Sequence, residues 1–245
     1  MLNNAKRALV ALTTTAALLV ATAVPAGAGY GSGDLGTWQT LAHGTIGDPA
    51  TADVLIVGDS ITTRCWTDLR DSLAAKGKTL AVNYWSGRPT TPAVDWLTAQ
   101  PAVPPIVVMA TGSNDIFDPT VMAAQIQRTT AYLPDPNSLL WVDIQAARTE
   151  TATADQRNSG WINGQIRDQL APSQVVPWSV WFASSPNRIP MYLQDGVHPW
   201  VTAGTGHGDG CAFWAAVLMG PINQRLTTLQ LSLPKVPAKL PTRTP

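Results

Sequence analysis

Only three histidines and two cysteines occur in 245 residues, and neither sign of charge is in excess, with 16 basic against 16 acidic residues. The histidines, His43, His198 and His207, never take the His-Glu-x-x-His spacing that sets two imidazoles on one helix face. A zinc site of that kind is excluded, and no metal or organic cofactor is expected. The lack of a basic stripe or positive field excludes nucleic acid and anionic membrane as partners. No Gly-x-Ser-x-Gly occurs, which argues against the ordinary α/β-hydrolase elbow. There is no internal repeat. After the N-terminal segment, no run is long and apolar enough to span a bilayer, which takes about 20 residues.

That N-terminal segment reads as a leader. Lys6 and Arg7 precede an uncharged apolar stretch over 8–24, and Ala26-Gly27-Ala28 follows as a small-residue cleavage site. An uncleaved anchor is the alternative, but Thr13, Thr14, Thr15 and Thr22 dilute the stretch and it is short for a spanning helix. Residues 1–28 are therefore expected to be a signal peptide, and the mature protein to be secreted, extracellular or wall-associated, with no stable membrane anchor. What remains is long enough for one α/β domain with a sizeable core. In an oxidising compartment Cys65 and Cys211 are expected to pair, the alternative being two buried thiols.

Residues 29–51 are rich in Gly, Thr and Asp without a sustained period and read as an N-terminal arm. From there, short apolar runs at 52–57, 80–84, 105–110, 139–144 and 175–181 alternate with stretches of helical length at 62–75, 93–99, 119–132, 154–170 and 209–226. The last of these contains Pro221, expected to interrupt or bend it. Runs of this kind suggest strands buried on both faces. The alternation predicts right-handed crossovers and a three-layer α/β/α sandwich around a parallel sheet of about five strands, spanning 52–230. The tail over 231–245 is proline-rich and basic, and is expected to be disordered or extended.

Four motifs fall where runs end: Gly58-Asp59-Ser60, Gly87, Gly112-Ser113-Asn114-Asp115, and Asp195-Gly196-Val197-His198. Ligands of open parallel sheets bind beyond the carboxyl ends of the strands, so all four are expected at one edge. Ser60 stands where a strand turns into a helix, and its own N–H is one of the donors left free at a helix start. The helix dipole favours an oxyanion there. A serine hydroxyl needs a base to take its proton, and His198 is the candidate. Asp195, three residues earlier, can hold the other ring nitrogen in the productive tautomer. Gly87 offers a backbone N–H that no Cβ obstructs, and Asn114 offers a side-chain amide. With the Ser60 N–H these are three oxyanion donors, each contributing about 2.7 to 4 kcal/mol in the transition state. Each residue also has a plainer explanation: Ser60 as a helix N-cap, Gly87 as a strand end, Asn114-Asp115 as a capping turn, and 195–198 as a surface turn. It is their coincidence at one sheet edge that favours chemistry.

With these blocks the chain resembles the SGNH hydrolases, also called the GDSL esterase/lipase family, over essentially 52–226. The matching segments are Gly58-Asp59-Ser60-Ile61-Thr62, the glycine of Asn83-Tyr84-Trp85-Ser86-Gly87, Gly112-Ser113-Asn114-Asp115, and Asp195-Gly196-Val197-His198-Pro199. Ile61 stands where many members have Leu. The resemblance implies a flavodoxin-like fold, ester hydrolysis through an acyl-enzyme without metal or organic cofactor, Ser60 as nucleophile, Gly87 and Asn114 as oxyanion donors, and Asp195 and His198 as the other triad members.

Several residues carry smaller expectations. His43 and His207 are alternative bases, though a solvated loop histidine is the plainer status of each. Arg64, one helical turn beyond Ser60, can face the site and pair with an acid or a substrate carboxylate. Trp85 and Trp200 adjoin two motifs and are candidates to line a substrate cleft, although most of the ten tryptophans should fill the core. A Cys65–Cys211 bridge would tie the nucleophile's helix to the helix after His198. The expected protein is a monomeric or weakly associated serine esterase acting on a small-molecule, glycan or lipid ester, with activity declining at acid pH as the imidazole charges. An O-acyltransferase acting on cell-wall glycan, or a catalytically silent wall-associated binding protein, are the alternatives.

Overall fold

Five of the apolar runs can lose water from both faces only by lying side by side under helices, and that demand builds the molecule. The computed structural model describes residues 41–232. The leader, the first part of the arm and the tail beyond Ser232 lie outside the described residues. The strands are β1 (His43–Ile46), β2 (Val54–Gly58), β3 (Leu80–Trp85), β4 (Ile106–Ala110), β5 (Leu139–Val142) and β6 (Val175–Val176). The helices are α1 (Ser60–Ala74), α2 (Thr90–Thr98), α3 (Met122–Tyr132), α4 (Ala152–Gln169), α5 (Trp178–Ala183), α6 (Arg188–Tyr192) and α7 (Gly210–Ser232).

The sheet runs β1-β3-β2-β4-β5-β6. All neighbours pair in parallel except β1, which lies antiparallel against β3. Counted over the parallel strands alone, the order is the flavodoxin-like 2-1-3-4-5. Every residue of β2, β4 and β5 is buried. Each fully covered Val, Leu or Ile contributes about 1.5 to 3 kcal/mol relative to exposure. Helices α1 and α7 pack together, and α2, α3 and α4 pack in series, giving the two outer layers.

Three differences from the sequence reading have physical causes. His43–Ile46, within the stretch read as an arm, adds an antiparallel edge strand whose residues are only half covered, so no apolar run announces it. The fifth run is a strand for two residues only. Pro177 has no N–H for the ladder, and Trp178 begins α5, where Asp143 accepts from the Ser179 N–H and hydroxyl. Finally, α7 is not interrupted at Pro221 and extends to Ser232, beyond the expected end at 226. Among the described residues no helix is long and apolar enough to cross a membrane.

Candidate active site

The strand order reverses between β2 and β4, and the loops leaving these strands carry Ser60 and Asn114. In a doubly wound sheet such a point is the natural ligand crevice. At the end of β2, Gly58 is needed because a Cβ there would lie 1.8 Å from Thr62 Oγ1, in the first turn of α1. Asp59 caps that helix, its Oδ1 accepting from the Ile61 N–H at 3.0 Å. Ser60 is therefore the first helical residue rather than the cap, and its hydroxyl is left for another partner. That partner is His198 Nε2, 2.8 Å away and 138 residues later in the chain.

The His198 ring is held from the other side by Asp195 Oδ2, 2.7 Å from Nδ1. The second oxygen, Oδ1, accepts from the N–H groups of Val197 at 3.0 Å and His198 at 2.8 Å. Asp195 thus closes its own turn with one oxygen and holds the imidazole with the other, so a surface turn and a contact to the ring coexist in one carboxylate. Gly196 fixes the loop: its φ is +82°, and a Cβ would meet the Ala147 carbonyl oxygen at 2.1 Å. The Ala147 N–H donates to the Gly196 carbonyl at 3.1 Å. Behind Ala147, Arg148 grips Asp155 with Nε and Nη2 at 2.8 and 2.7 Å. Burial pushes the Asp195 carboxyl up, but hydrogen bonds from the His198 ring and from two backbone N–H groups, with the His198 charge, outweigh it and hold it below the usual carboxylate range.

Of the expected oxyanion donors, the Ser60 and Gly87 N–H groups make no hydrogen bond among the described residues. Asn114 does not cap a helix with its side chain. Its Nδ2 donates to the Arg88 carbonyl at 3.2 Å, which orients the amide. The segment before Gly87 is tied to α1 by Ser86 Oγ, 3.3 Å from Thr63 Oγ1.

Beneath these groups lies a set of buried charges that spacing alone does not reveal. Asp59 is 1% exposed, and its Oδ2 has no hydrogen-bond partner among the described residues. Burial pushes its carboxyl up to about 6, against the Ile61 N–H and the charges of His198 and Arg88. Asp115 accepts from the Thr90 N–H and hydroxyl, yet burial, reinforced by the charge of Asp59, raises it to about 7. Arg88 is buried too, and desolvation brings its guanidinium down to about 10, so it stays cationic at neutral pH. Each of the three adjoins or belongs to a motif, which is the signal that could have found them.

The remaining candidates are placed as follows. Arg64 donates Nη1 to Gln194 Oε1 at 2.9 Å, linking α1 to the residue before Asp195. Trp85 packs tilted against His43 with ring centroids 4.6 Å apart, and His43 Nδ1 lies 2.9 Å from the Leu41 carbonyl. Trp200 stacks on His207 at 4.0 Å. Neither His43 nor His207 bonds to Ser60. Cys65 and Cys211 form a disulfide joining α1 to α7. A cavity of about 300 Å³ lined by Leu170, Pro172, Val175, Pro177 and Val180 touches none of Ser60, Asp195 or His198, so cavity size does not locate this site. Among the described residues no group of three His, Cys, Asp or Glu side chains could hold a metal ion.

A hydroxyl, an imidazole and a carboxylate thus stand in series at the switch point of a flavodoxin-like sheet, and that series, which recurs on unrelated folds, is one that can activate a serine. No family model matches the chain, and no curated protein matches it. Solved structures that it is similar to include the C-terminal catalytic domain of peptidoglycan O-acetyltransferase A from Streptococcus pneumoniae, at 18% identity and TM-score 0.49, over 75% of this chain and 96% of that one. TesA is similar at 20% identity and TM-score 0.47, over 72% and 98%. AlinE4, an esterase of the SGNH-hydrolase family, is similar at 16% identity and TM-score 0.43, over 77% and 99%.

Proposed function

We propose that the protein is a secreted serine esterase of the SGNH type, and the observation that carries this reading is the 2.8 Å approach of Ser60 Oγ to His198 Nε2. Ser60 Oγ attacks the ester carbonyl carbon while its proton passes to Nε2. The oxyanion is met by the N–H groups of Ser60 and Gly87 and by the Asn114 amide. As the tetrahedral species collapses, the alcohol leaves with the proton from Nε2. Water then attacks the acyl-enzyme, giving its proton to the same nitrogen, and as the second tetrahedral species collapses the bond to Ser60 Oγ breaks, Oγ takes the proton back from Nε2 and the acid is released. Asp195 stabilises the imidazolium formed in both halves.

Exposure favours water as the acyl acceptor, because the His198 and Asp195 side chains are 26% and 48% exposed and open the site to solvent. The leader-like pattern of residues 1–28 and the Cys65–Cys211 bridge support export. The test is an acyl-chain-length series of p-nitrophenyl esters on the parent and Ser60→Ala. The parent should cleave short esters with a burst of p-nitrophenol, and the variant should lose about 10⁴-fold or more in kcat. An alanine variant as fast as the parent overturns the reading. A parent without burst or fluorophosphonate adduct leaves the silent binding protein, and transfer of the acyl group to an added glycan instead of water leaves the O-acyltransferase.

A further inference from the structure

Arg88, directly after Gly87, is a buried cation with an unusual set of partners. Its Nη1 donates to Asn83 Oδ1 at 2.6 Å, and its Nη2 to the carbonyls of Gly58 at 2.7 Å and Asn83 at 3.2 Å. Gly58 ends β2, two residues before Ser60. The carbonyl of Arg88 accepts from Asn114 Nδ2, and its N–H donates to the Trp85 carbonyl at 3.2 Å, closing the turn in which Gly87 has φ +75°. One residue therefore touches all three segments that bear the expected oxyanion donors.

This arrangement is a poor investment in stability alone. Burying a guanidinium is costly, and Nε has no hydrogen-bond partner among the described residues. What the fork does supply is geometry. A planar set of donors fixes the end of β2 relative to β3, which a single ammonium cannot do. An Asn amide has two N–H bonds, and with one tied to the Arg88 carbonyl the direction of the other is set.

We propose that Arg88 is a positioning residue for the oxyanion site, holding the Ser60, Gly87 and Asn114 donors in mutual register; this rests on the esterase reading of Ser60. The experiment compares the parent with Arg88→Lys, which keeps the charge and loses the fork, and Asn83→Ala, which removes one anchor of the fork. Reactive sites are counted by a fluorophosphonate endpoint, and kcat per titrated site and KM are measured with p-nitrophenyl acetate. Misplaced donors should lower kcat per site by about 100-fold in Arg88→Lys and by less in Asn83→Ala, with KM changed no more than about twofold. A merely structural Arg88 would reduce the number of titratable sites and leave kcat per site at the parental value. That result, or parental kcat in both variants, overturns the proposal. If Arg88→Lys does not fold, Asn83→Ala decides, and parental kcat per site again overturns it. A parent that cleaves no ester refutes the Ser60 reading itself, which the parent measurement distinguishes from loss of positioning.

Discussion

Replacing Asp195 by Asn changes the charge behind the imidazole while leaving its turn intact. The amide oxygen of the variant can still accept from the Val197 and His198 N–H groups, which Oδ1 does now at 3.0 and 2.8 Å. The amide nitrogen would then replace Oδ2, which lies 2.7 Å from His198 Nδ1. A donor cannot accept the Nδ1 proton, so the ring moves to the tautomer protonated at Nε2. In that form Nε2 cannot take the proton of Ser60 Oγ. The lost charge can be sized separately: unit charges about 4 Å apart attract by about 4 kcal/mol at an effective dielectric near 20, close to 10³-fold in rate. The same exchange in a Ser-His-Asp triad costs about 10⁴-fold in kcat. The expected result with p-nitrophenyl acetate is a fall in kcat of about 10³ to 10⁴ with KM little changed. An Asn variant within about tenfold of the parent, alongside an inactive Ser60→Ala, would refute the relay. Stability offers a second check. Because the folded-state Asp195 carboxyl lies below its ordinary value, its contribution is present above about pH 4 and is lost as pH falls through the folded value. The Asn variant should lack that acid-side loss in thermal unfolding.

Gly196→Ala forces a Cβ to within 2.1 Å of the Ala147 carbonyl oxygen at a φ of +82°, and should cost about 1 to 3 kcal/mol in denaturant unfolding as well as most of the activity; unchanged midpoint and kcat would contradict this. Asp115 has a folded value of about 7, above that of an unfolded aspartate, so the folded state binds the extra proton and stability declines as pH rises from about 4 through 7. Asp115→Asn, which mimics the protonated form, should flatten that decline by up to about 1.4 kcal/mol per pH unit; identical pH slopes in parent and variant would show the carboxyl to be unperturbed. Serines at both Cys65 and Cys211 remove a bridge between residues 146 apart, worth up to about 5 kcal/mol by chain entropy. Activity per titrated site should drop while far-UV dichroism is retained, and a parental unfolding midpoint with parental kcat would show the bridge to be idle.

How much was legible in the chain itself follows from periodicity and reach. The runs giving β2, β3, β4 and β5 are apolar because both faces of those strands are covered, so burial is written along the chain. A short half-exposed strand such as β1 carries no such mark, and its partner β3 lies about forty residues away. The strand β6 stops after two residues although the apolar run continues, because Trp178–Ala183 is as apolar as a strand while lying in a helix.

The sequence by itself determined the winding of the parallel sheet and the residue types available at its carboxyl edge, since each motif is local and each loop must leave a strand end. Tertiary structure alone decided that His198 Nε2 lies 2.8 Å from Ser60 Oγ across 138 residues, that the Asn114 amide is held by the Arg88 carbonyl, and that Arg88 is enclosed with its charge. Those outcomes depend on distances between segments far apart in the chain, and on desolvation, which belongs to the surroundings of a residue and not to its identity.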